Sequence, residues 1–211
     1  MATTVTYKGQ VLVTVDNSTK VLETSGTWCE DDFTLVDVSG GGGDDTLTKI
    51  MLSLGTKAFK ALTLPEKIIF PSVTNVETEA LNRTAGCKIL VLPAVTAIGN
   101  YCVADSSSFE VIDFGPNTPS FGAWLFSNDS NLSTLIIRKS SVVAAANLNV
   151  FSNTPFASGG TGGTLYVPSA VISSYQSATN WSTILGYANN SIQAIEGSQY
   201  ENYYADGTPI E

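Results

Sequence analysis

Short apolar runs return along the chain at a nearly fixed interval. Ile68-Ile69-Phe70 precedes Pro71, and Leu90-Val91-Leu92 precedes Pro93. Val111-Ile112-Asp113-Phe114 precedes Pro116, Leu135-Ile136-Ile137 follows, and Leu165-Tyr166-Val167 ends at Pro168. Pro71 and Pro93 are 22 residues apart, and Pro116 lies 23 residues after Pro93. Runs this short and this rich in branched side chains read as strands rather than helices. A period in this range is the mark of a solenoid that stacks one short strand per coil. The pattern predicts Ile69, Val91, Ile112, Ile136 and Tyr166 on neighbouring parallel strands of one sheet. Proline ends a strand because it has no N–H for the ladder. Val73, Val76, Val95 and Ile98, two and five places later, are expected to turn inward.

Residues 1–38 read as a separate small β module. Val5-Thr6-Tyr7 and Val11-Leu12-Val13-Thr14-Val15 flank Lys8-Gly9-Gln10, a hairpin signal, and Phe33–Val38 alternates as a further strand. A segment this short makes a poor core alone, so it is expected to lean on a partner. Residues 39–45, with four consecutive glycines, read as a linker. The repeat domain spans 46–197, and residues 46–64 form its first coil, with a helical turn near 54–59. Residues 169–178 read as a helix capped by Ser169 that seals the end of the stack. Ile192–Ile195 is a last strand, and 198–211 a polar tail.

Two stretches resemble known families. Phe-Pro-x-Val-Thr-x-Val/Ile at 70–76, its counterpart at 92–98 and the following Gly99-Asn100-Tyr101 resemble the BspA-type leucine-rich repeat. The ending strengthens this, with Leu165-Tyr166-Val167-Pro168, Tyr175-Gln176, Asn180-Trp181-Ser182 and Ile192–Gly197. The resemblance covers about 65–198. It departs from the family where Tyr101-Cys102 and Ala80-Leu81 replace the usual Ala-Phe, and where Thr118-Pro119 replaces Val-Thr. It implies a short leucine-rich-repeat, parallel-β solenoid, so that with the small N-terminal β module read above the whole fold is expected to be mainly β with short helices. Thr6-Tyr7-Lys8-Gly9 and Gly26-Thr27-Trp28-Cys29-Glu30-Asp31-Asp32 are similar to leading modules in tail or baseplate proteins of phages and prophages of Firmicutes. That second resemblance covers about 3–38 and implies a tail or baseplate setting; the module's small size and acidity point to assembly with other tail proteins or with copies of itself, with Tyr7, Trp28 and Phe33 as candidate contacts.

Composition narrows the functional classes. Charged residues are only 14 %, against about 25 % in ordinary domains, so Ser, Thr, Asn and Gly build the surface. The net charge is −9, and residues 140–211 contain no Lys or Arg. Such a chain repels phosphate backbones, which argues against nucleic-acid binding. No apolar run is long enough to span a membrane, and the first residues lack the pattern of a secretory signal. The absence of histidine removes His-based metal sites and Ser-His or Cys-His catalysis. Cys29, Cys87 and Cys102 read as small buried side chains.

No cofactor, metal or catalytic residue is expected. Glu30-Asp31-Asp32, Asp44-Asp45 and Asn128-Asp129-Ser130-Asn131 lack the spacing of a calcium loop and read as turns. Aromatics, among them Trp28, Trp124, Trp181, Tyr101, Tyr166 and Tyr175, are either core or platforms for sugar rings. Candidate ligand contacts are Phe121, Trp124, Asn128, Asn131, Gly159 and Thr161, against the alternative that Phe121, Trp124 and Phe126 fill the coil interior. The reading is a non-enzymatic structural and recognition protein of a phage or phage-like tail, contacting a host-surface glycan or protein and located in the virion. A bacterial cell-surface adhesin is the alternative, and a glycan-degrading enzyme a distant third.

Overall fold

The computed structural model describes residues 2–7, 10–16, 21–23, 33–36 and 50–210, with side chains from residue 53 onward. Strands β1 (Ala2–Tyr7), β2 (Gln10–Asp16) and β3 (Val21–Glu23) form a three-stranded antiparallel sheet. Tyr7 stands opposite Gln10, as the hairpin reading requires. Strand β4 (Phe33–Val36) pairs instead with β5 (Ile50–Leu54), so this stretch joins the solenoid's sheet rather than the module's. The glycine linker lies outside the described residues, as do Cys29, Trp28 and the acidic groups at 30–32 and 44–45.

Each coil then follows one plan. A strand enters a six-stranded sheet made of β6 (Lys67–Ile69), β8 (Ile89–Leu92), β10 (Val111–Phe114), β11 (Thr134–Ile137), β12 (Thr164–Val167) and β13 (Ser191–Ala194). All its pairings are parallel. The chain turns, and in the early coils adds a two-residue strand, β7 (Asn75–Val76) or β9 (Ala97–Ile98), to a smaller sheet that extends from β4 and β5. It then returns through a compact back turn.

Parallel register sets every side chain's direction, because neighbours along a strand face opposite ways. Leu90, Ile112, Leu135 and Leu165 align as one inward column, all fully buried. Ile69, Val91, Asp113, Ile136 and Tyr166 align on the opposite, outer face. The expected strands are therefore neighbours, but Asp113 rather than Ile112 continues the Val91 column. The cause lies one residue on. Gly115, not Pro116, occupies the position of Pro93, and its N–H donates to Leu92 O. A Cβ on Gly115 would fall inside the contact shell of the Pro93 carbonyl oxygen. The coil approaches its neighbour too closely there for any side chain.

Val73, Val95, Thr118 and Val143 occupy the matching interior corner, each at most 1 % exposed. Thr118 fits because its hydroxyl donates to Gly115 O within the same turn, so the threonine replaces valine without an orphaned polar group. Val76 is buried and Ile98 half-buried against the same core. On the return path Ala58-Phe59, Ala80-Leu81, Cys102-Val103 and Leu125-Phe126 align. The Ala-Phe position of the third coil is therefore held by Cys102-Val103, one residue beyond the Tyr101-Cys102 expected. Burial pushes the Cys87 thiol up to about 12 and Cys102 higher still, consistent with inert core positions. Residues 55–59 form hydrogen-bonded turns rather than a helix.

At the C-terminal end a 3₁₀ turn (Ser169–Val171) leads into α1 (Ile172–Ser177), and α2 (Trp181–Leu185) follows. Ser169 is not a side-chain cap: its backbone N–H donates to Glu196 Oε2. The helices replace the back turn of the last coil. Tyr175 and Trp181 are fully buried, and Val143 hydrogen-bonds both, its N–H to Tyr175 Oη and its carbonyl from Trp181 Nε1.

A polar ladder runs inside the back turns. Thr84 N–H donates to Ser106 Oγ at 3.0 Å, and Ser106 N–H donates to Asp129 Oδ1 at 2.7 Å. Asp129 is 0 % exposed, and its Oδ2 has no hydrogen-bond partner among the described residues. Burial drives its pKa well above the ordinary carboxylate range, the Ser106 N–H opposing and nearby Asp105 adding to the shift.

Two outcomes follow. Gly115→Ala should lower unfolding free energy by about 1–3 kcal/mol in denaturant titration. Gly122→Ala, whose Cβ would meet chiefly the movable Asn100 side-chain oxygen, should cost much less. Asp129 binds its proton more tightly folded than unfolded, so its contribution to stability falls as pH rises from the ordinary carboxylate range through the raised folded value. Asp129→Asn should therefore melt higher than the parent at neutral pH, with the gap closing in acid.

Candidate functional site

The outer face of the large sheet is occupied. Asp113 lies at its centre, 0 % exposed, and Arg138 from the next coil grips it with two hydrogen bonds, Nε to Oδ1 at 2.9 Å and Nη2 to Oδ2 at 2.8 Å. The rest of the guanidinium faces the C-terminal segment, donating to Tyr200 O at 2.8 Å and Tyr203 O at 2.9 Å. Ala205 N–H returns a bond to Asp113 Oδ2 at 2.9 Å. Tyr204 covers Arg138, with the guanidinium carbon 5.1 Å from the ring centre, and Tyr200 meets Tyr166 edge-on. Residues 198–210 are thus a docked strap and not a free polar tail. Val91 and Ile136 face outward yet are fully buried beside Asp113. Burial raises the Asp113 pKa, while Arg138 and the Ala205 N–H act in the opposite sense.

The back turns are organised differently. Lys57, Glu79, Tyr101 and Trp124 all have φ near +60°, and so do Ala61, Arg83, Asp105, Asn128 and Asn153. Left-handed backbone is costly for side chains of this size. Here most of these residues aim a backbone N–H at the next coil: Glu79 to Asn100 O, Arg83 to Ala104 O, Asp105 to Ser127 O and Asn128 to Ser152 O, at 2.8–3.2 Å. The same geometry lines up side chains of successive coils in two columns on the surface.

Tyr101 and Trp124 stack with planes only 3° apart and ring centres 6.3 Å apart. Tyr101 is 41 % exposed and Trp124 half-buried. Across from them stands a chain of polar side chains. Asn128 Nδ2 donates to Asp105 Oδ1, and Asn153 Nδ2 to Asn128 Oδ1, both at 2.7 Å. Arg83 sits 3.8 Å from Asp105. Between the two columns lies a groove of about 220 Å³, floored by Ala104 and Ser127.

The expected contact residues separate accordingly. Trp124 and Asn128 line this groove. Phe121 does not: it is 1 % exposed, packed among Phe114, Phe126 and Trp181, because it closes the interior of its coil. Asn131 is exposed and donates to Ser107 O at 2.7 Å. Gly159 and Thr161 are exposed on the loop before β12, beyond a second hollow lined by Leu148, Phe156, Ser158 and Tyr187. Tyr7 and Phe33 lie on β1 and β4, where side chains are outside the described residues, as is all of Trp28. Asp105 and the pairing of Tyr101 with Trp124 were missed as a unit. Their signal was the 22- and 23-residue spacing from Glu79 to Tyr101 to Trp124 and from Arg83 to Asp105 to Asn128.

Among the described residues no group of three Cys, Asp or Glu side chains could hold a metal ion, and no helix is long and apolar enough to cross a membrane. Removing the guanidinium should expose what it secures. Arg138→Met leaves Asp113 buried without its countercharge, at a cost of about 3–5 kcal/mol. Amide exchange in residues 199–206 should accelerate more than in the core strands.

No curated protein matches the chain. A family model does: the BspA type leucine rich repeat region matches residues 45–157 in six copies. The match starts after the N-terminal sheet and ends before β12, and the strands β12 and β13 continue the same stack beyond it. With more than half of its residues matched and a parallel sheet of one strand per coil, the chain belongs to the BspA-type leucine-rich repeat family.

Proposed function

We propose that the chain is a non-enzymatic display and recognition protein of a phage or phage-like tail, whose solenoid contacts the host surface and whose N-terminal strands dock it to other tail proteins or to copies of itself. One observation carries the recognition part. The strap closes the outer face of the sheet, while the back turns present two ordered columns of side chains to solvent. The left-handed turns serve the stacking, but they place Tyr101 and Trp124 at the surface as a parallel aromatic pair beside the polar column of Asp105 and Asn128.

The non-enzymatic part is supported by how the buried carboxylates are used. Asp113 is tied to Arg138 and the strap, and Asp129 accepts from the Ser106 backbone inside a coil. The tail setting is supported by the resemblance of residues 3–38 to leading modules of tail proteins. The surface-adhesin setting is favoured by the repeat family itself, and the same solenoid face would serve there.

The two settings part in a fractionation experiment. Antibody against the solenoid should detect the protein in purified particles, and deletion of residues 1–23, which leaves β4 on the solenoid's sheet, should remove it from them while purified protein still adheres to host cells. Recovery in the cell-envelope fraction, with none on particles, favours the adhesin. Purified protein that adheres to no host cell removes the recognition reading.

A further inference from the structure

We propose that the groove between Tyr101–Trp124 and Asp105–Asn128 binds an extended, uncharged oligosaccharide lying along the solenoid axis, one sugar ring to each coil. This names the ligand of the recognition face and rests on that reading.

The first argument is the platform. The two rings are parallel with centres 6.3 Å apart, and both keep surface open to solvent, Tyr101 being exposed and Trp124 half-buried. Exposed aromatic faces suit the apolar faces of pyranose rings. Adjacent coils are about 4.8 Å apart, the spacing of neighbouring strands. That step is close to the advance per ring of an extended β-linked glycan. Tyr101 and Trp124, on consecutive coils with ring centres 6.3 Å apart, offer one aromatic face to each of two consecutive sugars.

The second argument is the polar wall. Asn128 spends one N–H on Asp105 and its carbonyl on Asn153, which fixes the amide's orientation. Its second N–H stays available, as do the Asp105 lone pairs not taken by Asn128 on Oδ1 and by Asn82 Nδ2, at 3.3 Å, on Oδ2. A wall that alternates donor and acceptor suits hydroxyl groups, which do both. The floor of Ala104 and Ser127 lets a ring approach without a clash.

Charge excludes the main competitors. Asp105 disfavours an anionic polymer, with Arg83 only 3.8 Å away as partial compensation. A metal ion would need more carboxylates than this groove supplies. The groove is shallow, and its 220 Å³ is shared between two coils, so a single site is weak and length matters. Many copies on one particle would strengthen attachment through multivalency.

The test uses the full chain with cellotetraose and the β-1,4-linked N-acetylglucosamine tetramer as probes, read by tryptophan fluorescence and calorimetry. At least one tetramer should bind at millimolar concentration or below, more tightly than its monosaccharide, with little change as salt rises. Trp124→Asn removes the ring while suiting left-handed backbone, so it should fold normally and weaken binding by about tenfold or more. Asn128→Ala should weaken it by less. Failure of both tetramers to bind, or a Trp124→Asn protein that binds them as well as the parent, overturns the proposal. Host-cell adhesion separates this from the broader reading. Adhesion that Trp124→Asn leaves intact and protease treatment of the cells abolishes keeps recognition, assigns it to a protein partner and overturns the sugar groove.

Discussion

Hydrogen bonding from each coil to the next is the constraint on which everything else in this protein rests. A single coil of 22 or 23 residues cannot bury its own apolar side chains, and its backbone groups have few partners within the coil. Stacking supplies both at once. On the sheet side the parallel ladder does it, as where Val111 aligns with Ile89 and Thr134. On the back, residues such as Arg83, Asp105 and Asn128 do it through left-handed turns that point N–H groups along the axis. The resulting backbone strain is tolerated because each such turn satisfies a donor that would otherwise be buried without a partner.

The stack was legible because its demands repeat. Leu90, Ile112, Leu135 and Leu165 must be apolar for the same reason, so the period shows in the sequence. The interior corner of Val73 and Val95 was readable likewise, and so were the terminal strand and a helical segment after Pro168. Register was less legible, because a single residue shifts it. Pro116 suggested the wrong alignment for the coil that begins at β10, and only the closeness of Gly115 to Pro93 reveals the true one. The strap was not legible at all. Asp113 and Ala205 are 92 positions apart, and no periodicity links them. Asp113 did interrupt an apolar strand, and an acid in that place signals a partner that local pattern cannot identify.

The candidate groove illustrates an intermediate case. Trp124 and Asn128 could be singled out as an aromatic and a polar side chain near irregular turns. Phe121 could not be separated from Trp124 on the same grounds, although one lies in the core and the other at the surface. The difference is conformational: Trp124 sits at φ +61°, which turns its side chain out of the coil, while Phe121 N–H donates to Ala144 O, alongside the interior. Backbone angles of this kind are dictated by the stack and leave no mark in composition. Matching positions across coils do leave one, and reading columns rather than single residues would have paired Tyr101 with Trp124.

The two faces also differ in the consequences of change, and this follows from their chemistry. The outer sheet face is held by a buried charge pair, so losing one partner strands the other in a dry environment and destabilises the fold around it. The back-turn columns are held chiefly by backbone bonds, to which the polar column adds the side-chain bonds of Asp105, Asn128 and Asn153. Substituting Tyr101 or Trp124 by residues that accept left-handed backbone therefore alters what the surface offers without removing what keeps the coils together. A solenoid built this way can change its surface side chains coil by coil while its interior columns stay fixed. The aromatic column of the back turns is free to vary because it is not the part that carries stability.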